Sequence, residues 1–258
     1  MKRLLKIGLV IALLYIALIP VYLASSTNSV YCKGVSVDLT DSSDLHFVTK
    51  RQLLNAAYGS SGKMTGRPIK SISIPAIEER INVLRELKVA EAYSSIDGMI
   101  HIYADQRNPV MRVMPESGGD FFVDNEGYVF RKRNLYNPRL HIVEGNVNIT
   151  AAMLSGVSVL DTAIKNSILK DIYFIVEFIK DDNFWSAQID QIYVDKNNEI
   201  DLIPRAGSQV IHLGSAENLV GKLRNLEAFY DKVLPEVGWN KYSVINLEFK
   251  DQVVCKRR

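Results

Sequence analysis

Residues 7–24 read IGLVIALLYIALIPVYLA, eighteen positions without a charged side chain. As a helix rising 1.5 Å per residue, that run is about 27 Å long, close to the hydrocarbon thickness of a bilayer. A segment of this kind enters a membrane, and the rest of the chain has to fold on one side of it or the other. Lys2, Arg3 and Lys6 precede it, and no acidic residue occurs before Asp38. Flanking cations are retained in the cytoplasm, so residues 1–6 read as a cytoplasmic tail, 7–24 as a transmembrane anchor and the remainder as extracytoplasmic. A cleaved signal peptide is the competing reading, because Ala24 and Ser26 offer small residues at the −3 and −1 sites. The length of the apolar run favours the uncleaved anchor, and Pro20 near its outer end suits either.

The chain has 258 residues, with 31 basic and 29 acidic side chains. Setting aside Lys2, Arg3 and Lys6 leaves 28 basic against 29 acidic, so the body is about neutral. It lacks the basic field expected of a nucleic-acid binder. Hydrophobic residues make up 47%, which predicts folded domains with a real core. Cys32 and Cys255 are the only cysteines and flank the exported body. Two unpaired, half-buried strand cysteines are a simpler reading than a bridge, which needs the two Cα atoms within about 7 Å.

From Tyr31 to Arg107 the pattern is strand, helix, helix, strand, strand. Val35 and Val37 alternate in the first strand. Thr49 and Gln52 have capping-box spacing at the start of the first helix. Ile77, Ile81, Leu84 and Leu87 share one face of a second helix that has Pro75 near its start. Asp97-Gly98 predicts a two-residue hairpin turn, with Ile100, Ile102 and Ala104 alternating after it. The later part is richer in strands: FFVDNEGYVF turns at Asn125–Gly127, LHIVEGNV is a short strand, and a hairpin forms around Lys196-Asn197-Asn198. Leu160, Ile164, Ile168, Ile172, Ile175 and Ile179 predict one long helix over 159–179. Leu219, Leu223, Leu226, Tyr230 and Val233 predict a last helix, in which Gly221 costs about 1 kcal/mol relative to Ala. Ile245, Leu247 and Phe249 then alternate with polar residues, and after Lys250-Asp251-Gln252 a second β-rich run, Val253-Val254-Cys255, precedes Lys256, Arg257 and Arg258. This final strand has nothing after it to cover its outer edge, although free edges recruit other strands.

Chemistry-bearing constellations are scarce. His46, His101, His141 and His212 lie far apart, and none has a second ligand at helical or hairpin spacing. Asp195, Asn197, Glu199 and Asp201 faintly match a calcium loop, but Ile200 occupies the required glycine position and Ala206 the twelfth, so a polar hairpin tip is the better account. Asp181 and Asp182 beside Trp185 read as solvated charge at a helix end. No HExxH, GxSxG, P-loop or GxGxxG motif occurs. The expectation is a non-enzyme with no catalytic residue, no cofactor, no stoichiometric metal and no small-molecule substrate.

The ordered motifs VAEAYSSIDGMIHIYADQRNPV, FFVDNEGYVF, QIDQIYVDKNNEIDLIPRAGSQVIHLG and VINLEFKDQVVCK carry a resemblance that covers nearly the whole chain. The βααββ module over 31–107 resembles a POTRA domain, and the full chain is similar to the FtsQ/DivIB family of bacterial cell-division proteins, with residues 108–258 as its β domain. Arg107 and Pro109 match the family's Arg-x-Pro junction, whereas Gln106 stands where an acidic residue is common. The fold implied is α+β: one transmembrane helix, the POTRA module, then a mixed β-rich domain with flanking helices ending in an edge hairpin. The function implied is that of a non-catalytic single-pass scaffold in the inner membrane at the division septum, joining FtsB and FtsL. The resemblance implies strand addition by FtsB at Val253, Val254, Cys255, Lys256 and Arg257, and Phe229, Tyr230 and Tyr242 are the nearest candidates for apolar pockets. Two other classes share features. A POTRA-containing assembly or transport scaffold should continue into amphipathic membrane strands, and a membrane-anchored wall hydrolase should show paired carboxylates or a metal cluster.

N-terminal sequencing of the mature protein checks the anchor. An intact start through Lys6 is expected, and a chain beginning at Thr27 overturns it.

Overall fold

The computed structural model describes residues 30–40, 46–133, 136–250 and 252–258. The anchor expected over 7–24 lies outside them, and no helix among the described residues is long and apolar enough to cross a membrane. Contacts divide the chain into two units. The first takes residues up to Leu39 with Lys50–Val83 and Ala90–Ala104; the second takes Thr40–Thr49, Leu84–Val89 and Asp105–Arg258.

The first unit holds most of a three-stranded sheet, Gly34–Thr40 (β1), Leu87–Ser94 (β2) and Met99–Gln106 (β3) in the order β1-β3-β2, together with helices Lys50–Tyr58 (α1) and Ile74–Ile81 (α2). Leu53 and Ala57 of α1, Ile77 and Ile81 of α2, and Ile100, Ile102 and Ala104 of β3 are the buried residues that alternation and helical spacing select. Ser73 caps α2 by accepting from the Ala76 N–H at 3.3 Å, and Pro75 sits in the first turn, where its missing donor goes unnoticed. The Arg80 guanidinium donates from Nε and Nη2 to the Ala57 carbonyl (3.0 and 2.7 Å), satisfying an acceptor that the end of α1 leaves open.

The second helix is shorter than its apolar spacing predicts. It stops at Ile81, where Asn82 Nδ2 donates to the Glu78 carbonyl, and Leu87 opens β2 instead. Spacing alone does not separate a buried strand residue from a helical one. The β2–β3 turn is also one residue longer than expected. The Ser95 N–H donates to the Met99 carbonyl and the Gly98 N–H to Ser95, which leaves Ile96-Asp97-Gly98 as a three-residue loop. Gly98 has φ +93°, and a Cβ there would lie 2.6 Å from the Tyr31 carbonyl oxygen.

The second unit carries a nine-stranded mixed sheet. Its strands are Pro109–Pro115 (β4), Phe121–Asp124 (β5), Val129–Arg131 (β6), His141–Gly145 (β7), Ile189–Val194 (β8), Ile200–Pro204 (β9), Val210–Gly214 (β10), Tyr242–Asn246 (β11) and Val254–Arg257 (β12). They run in the order β12-β11-β10-β9-β8-β7-β4-β5-β6. The β4–β7, β7–β8 and β10–β11 pairs are parallel, and the other pairs are antiparallel. Parallel neighbours need long crossovers. These include Ala151–Ser155 (α3), Ile168–Asp181 (α4), Asn183–Gln188 (α5), Leu219–Lys232 (α6) and Leu234–Val237 (α7).

The core gathers Val143, Ile192, Leu202, Ile211 and Ile245 of the sheet with Ile172, Ile175, Val176 and Ile179 of α4 and Leu223 and Leu226 of α6. Each such side chain contributes about 1.5–3 kcal/mol by leaving water. The helix expected over 159–179 begins only at Ile168. Ser158 Oγ accepts from Leu160 N and Asp161 Oδ1 from Ala163 N, so side chains capture donors that a helix would use, and Asn166 takes φ +51° just before the start. Gly145 ends β7 at φ +100°, and a Cβ there would meet the Val194 carbonyl oxygen at 2.1 Å.

Asp124 and Arg107 hold the beginning of this sheet together. Arg107 Nη1 lies 2.6 Å from Asp124 Oδ2, with the carboxylate only 1% exposed. Asp124 Oδ1 accepts from the Glu126 and Tyr128 N–H groups (3.0 and 2.8 Å), and Arg107 Nε donates to the Arg85 carbonyl. Both carboxylate oxygens therefore have donors. Asp124→Ala leaves a largely buried guanidinium without its anion and is expected to destabilise the protein by about 3–5 kcal/mol, read as the shift in a urea-unfolding midpoint. A change under about 1 kcal/mol contradicts the structural role.

Candidate partner-binding edge

The expected final strand pair forms, with different bounds. β11 stops at Asn246 because the Asn246 side chain accepts from the Glu248 N–H at 2.8 Å, an Asx turn that bends the chain before alternation ends. Leu247 is nevertheless buried, and its N–H donates to the His212 carbonyl. Phe249, expected on the buried face, is 52% exposed. The connection to β12 is thus longer than the Lys250–Gln252 turn read from the sequence.

β12 pairs antiparallel with β11 through Tyr242↔Arg257, Val244↔Lys256, Ile245↔Cys255 and Asn246↔Val254, and it ends the strand order. The Arg258 N–H donates to the Lys241 carbonyl, and Ser243 Oγ donates to the Lys256 carbonyl. Main-chain groups alternate sides along a strand. The N–H and C=O of Val254 and Lys256 therefore face β11, and those of Cys255 and Arg257 face outward. Side chains alternate in the perpendicular direction: Val253 and Cys255 pack against the core, whereas Val254, 44% exposed, points away from it. Burial pushes the Cys255 thiol pKa up, and the side chain packs as a small apolar group. Among the described residues no disulfide forms, and both cysteines are free thiols.

The other candidates divide. Lys256 and Arg257 are exposed, as a charged rim requires. The Arg258 guanidinium is engaged by the Ser208 carbonyl at 2.8 Å. Phe229 and Tyr242 are partly buried and in ring contact, with centroids 5.8 Å apart, beside β12. Tyr230 is not a surface residue. It is 3% exposed and sits in the core against Trp185 and Trp239, because the α6 stripe that carries it turns to the sheet.

The sequence motifs set aside as chemistry have structural work. Asp182 caps α5 by accepting from the Phe184 and Trp185 N–H groups, and Trp185 is buried. Asp195 closes the β8–β9 turn through the Asn197 and Glu199 N–H groups. Gln106, uncharged where an acid is common in the family pattern, is buried and accepts from the Val48 N–H at 2.8 Å. Sequence spacing did not reveal that His212 lies beside Glu199, Asp201 and Glu248. The signal was polar alternation on three separate strands, which is unreadable without their register.

A three-stranded unit of strand-helix-helix-strand-strand order, followed by a mixed sheet whose last strand has no strand beyond it among the described residues, defines a POTRA-type two-module protein. Residues 30–105 match the model of the POTRA-like domain, and residues 108–256, more than half of the chain, match the model described as FtsQ/DivIB, C-terminal related. The chain belongs to the FtsQ/DivIB family. A search of curated proteins finds no match.

Proline scanning separates the two sides of β12. Val254→Pro removes a donor that faces β11 and is expected to lower the melting temperature measured by circular dichroism. Cys255→Pro removes an outward donor and is expected to leave that temperature within a few degrees. The reverse ranking overturns the assigned orientation.

Proposed function

We propose that this protein is a non-catalytic scaffold of the bacterial division machinery, a reading that its FtsQ/DivIB and POTRA-like modules support at the level of cell division. Residues 1–6 lie in the cytoplasm, 7–24 anchor the chain in the plasma membrane, and the POTRA domain over 31–107 and the β domain over 108–258 face outward at the septum. The partners are proteins of the FtsB and FtsL type. The observation that carries the reading is the outward-facing main chain of Cys255 and Arg257 on a strand that ends the sheet.

A strand added there gains hydrogen bonds from the backbone and selectivity from alternate side chains. It would lie beside Val254 on one face and near Phe229 and Tyr242 on the other, while Lys256 and Arg257 attract acidic partner residues in a salt-dependent way. Because the affinity resides in the main chain, single surface substitutions weaken binding little. Cys255→Pro should cost about 1.4–2.8 kcal/mol, on the order of ten- to a hundredfold in Kd.

The test is co-purification of the full-length protein with its FtsB-type partner, comparing the intact chain with one truncated after Asp251. Loss of the partner with an unchanged circular dichroism spectrum is expected. A truncated chain that folds and retains the partner in full sinks the docking-edge reading.

A further inference from the structure

The opposite face of the second unit's sheet carries a polar cluster that the docking edge does not use. Antiparallel pairing of β9 with β10 sets Asp201 opposite His212, and parallel pairing of β10 with β11 sets Asn246 beside it. The turn before β9 contributes Glu199, and the chain leaving β11 contributes Glu248. His212 Nδ1 lies 2.7 Å from Asp201 Oδ1, whereas Nε2 lies 3.4 Å from Glu248 Oε2 and 3.8 Å from Glu199 Oε2.

An ionised carboxylate only accepts, so the Asp201 contact requires the proton on Nδ1 and leaves Nε2, the other ring nitrogen, facing the two glutamates. The three candidate ligand atoms, one each from Glu199, His212 and Glu248, all lie within 4.8 Å of one another. Ligands about 2.0–2.1 Å from a tetrahedral ion are roughly 3.3 Å apart, so a small inward movement of two flexible, partly exposed glutamates completes the geometry. Glu248 is itself placed: Asn246 Nδ2 donates to its Oε2 at 3.1 Å, and a Cβ on Gly214 would come within 2.7 Å of its Cγ. Three carboxylates surrounding one imidazole also leave an excess of negative charge that a dication offsets.

We propose that Glu199, His212 and Glu248 bind a divalent transition-metal ion of the zinc class, with Asp201 as the outer partner that orients the imidazole. Imidazole nitrogen disfavours calcium and magnesium, which take oxygen ligands, and three protein ligands leave a fourth position for water. This departs from the absence of metal ligands read from the sequence, because the ligands come from three segments that only the sheet brings together. One of them, Glu248, lies in the connection from β11 to β12. The ion would therefore join the base of the docking strand to β9 and β10, although the site stands whether or not that strand binds a partner.

The test is calorimetric titration of untagged, chelator-treated full-length protein in detergent with zinc chloride. One equivalent should bind with saturable, low-micromolar affinity, and calcium and magnesium chloride should give no saturable heat. Glu248→Gln and His212→Gln should each weaken zinc binding at least about tenfold, whereas Glu227→Gln on the exposed face of α6 should not change it. Glu248 is exposed, so its variant retains the test even if the His212 variant fails to fold. No saturable zinc binding, or binding that Glu248→Gln leaves unchanged, overturns the site and makes the cluster an ion pair of His212 with its carboxylates.

Discussion

The ion pair between Arg107 and Asp124 is the contact around which the second unit is arranged. Arg107 precedes β4, and Asp124 ends β5, so the pair closes the first antiparallel corner of the sheet. Around that corner other elements attach through the backbone of the same turn. Tyr173 of α4 donates its hydroxyl to the Asn125 carbonyl, Ser158 donates to Glu126, and the Val159 N–H donates to Gly127. Arg107 also stacks over the Tyr128 ring at 4.5 Å. A buried charge pair stabilises a fold only when its remaining hydrogen-bonding capacity is used, and here both carboxylate oxygens have donors.

From that corner the sheet grows by both parallel and antiparallel additions, and this mixture explains the free edge. The β10–β11 pair is parallel, which requires a crossover, and α6 supplies it while covering the core face. β12 then returns by a shorter path and adds antiparallel, so its outer main-chain groups have no strand beside them among the described residues. Lys256 and Arg257 place charge on that edge, a common way to discourage pairing between copies of one chain. The same charges remain compatible with an acidic strand, so protection and recognition do not conflict.

The outer face of the sheet is less uniform than alternation implies. Near β5 and β6 it is apolar and covered: Phe122 and Phe130 pack edge-on to Phe47, at 5.2 and 5.6 Å between ring centroids. Further along, at β9 to β11, it is polar and centred on His212. Burial pushes the pKa of that imidazole down, but the hydrogen bond that its Nδ1–H donates to Asp201 and the charges of Asp201, Glu248 and Glu199 outweigh it and hold the pKa above the ordinary histidine value. The two regions differ in pattern as well as in character, since β5 is buried at every position whereas β9 alternates buried with half-buried residues.

Local chemistry made much of this chain legible from its residues. Alternation at Ile100, Ile102 and Ala104, the glycine turns at Gly98 and Gly127, and the apolar stripes at Ile172 to Ile179 and Leu219 to Leu226 define strands, turns and helix faces, because each depends on neighbours a few residues away. The order of those elements was enough to place the chain in its family and to mark the last strand as an edge. Helix ends were not legible where Ser158, Asp161 and Asn82 redirect backbone hydrogen bonds, since periodicity does not register that competition. Tertiary structure alone decided the rest: that Arg107 meets Asp124, that Tyr230 faces the core, that the Cys255 amide points outward, and that His212 joins two distant glutamates. Each of these is set by strand register and crossover path, which depend on packing energy summed over the whole sheet and leave no signature in any short stretch of sequence.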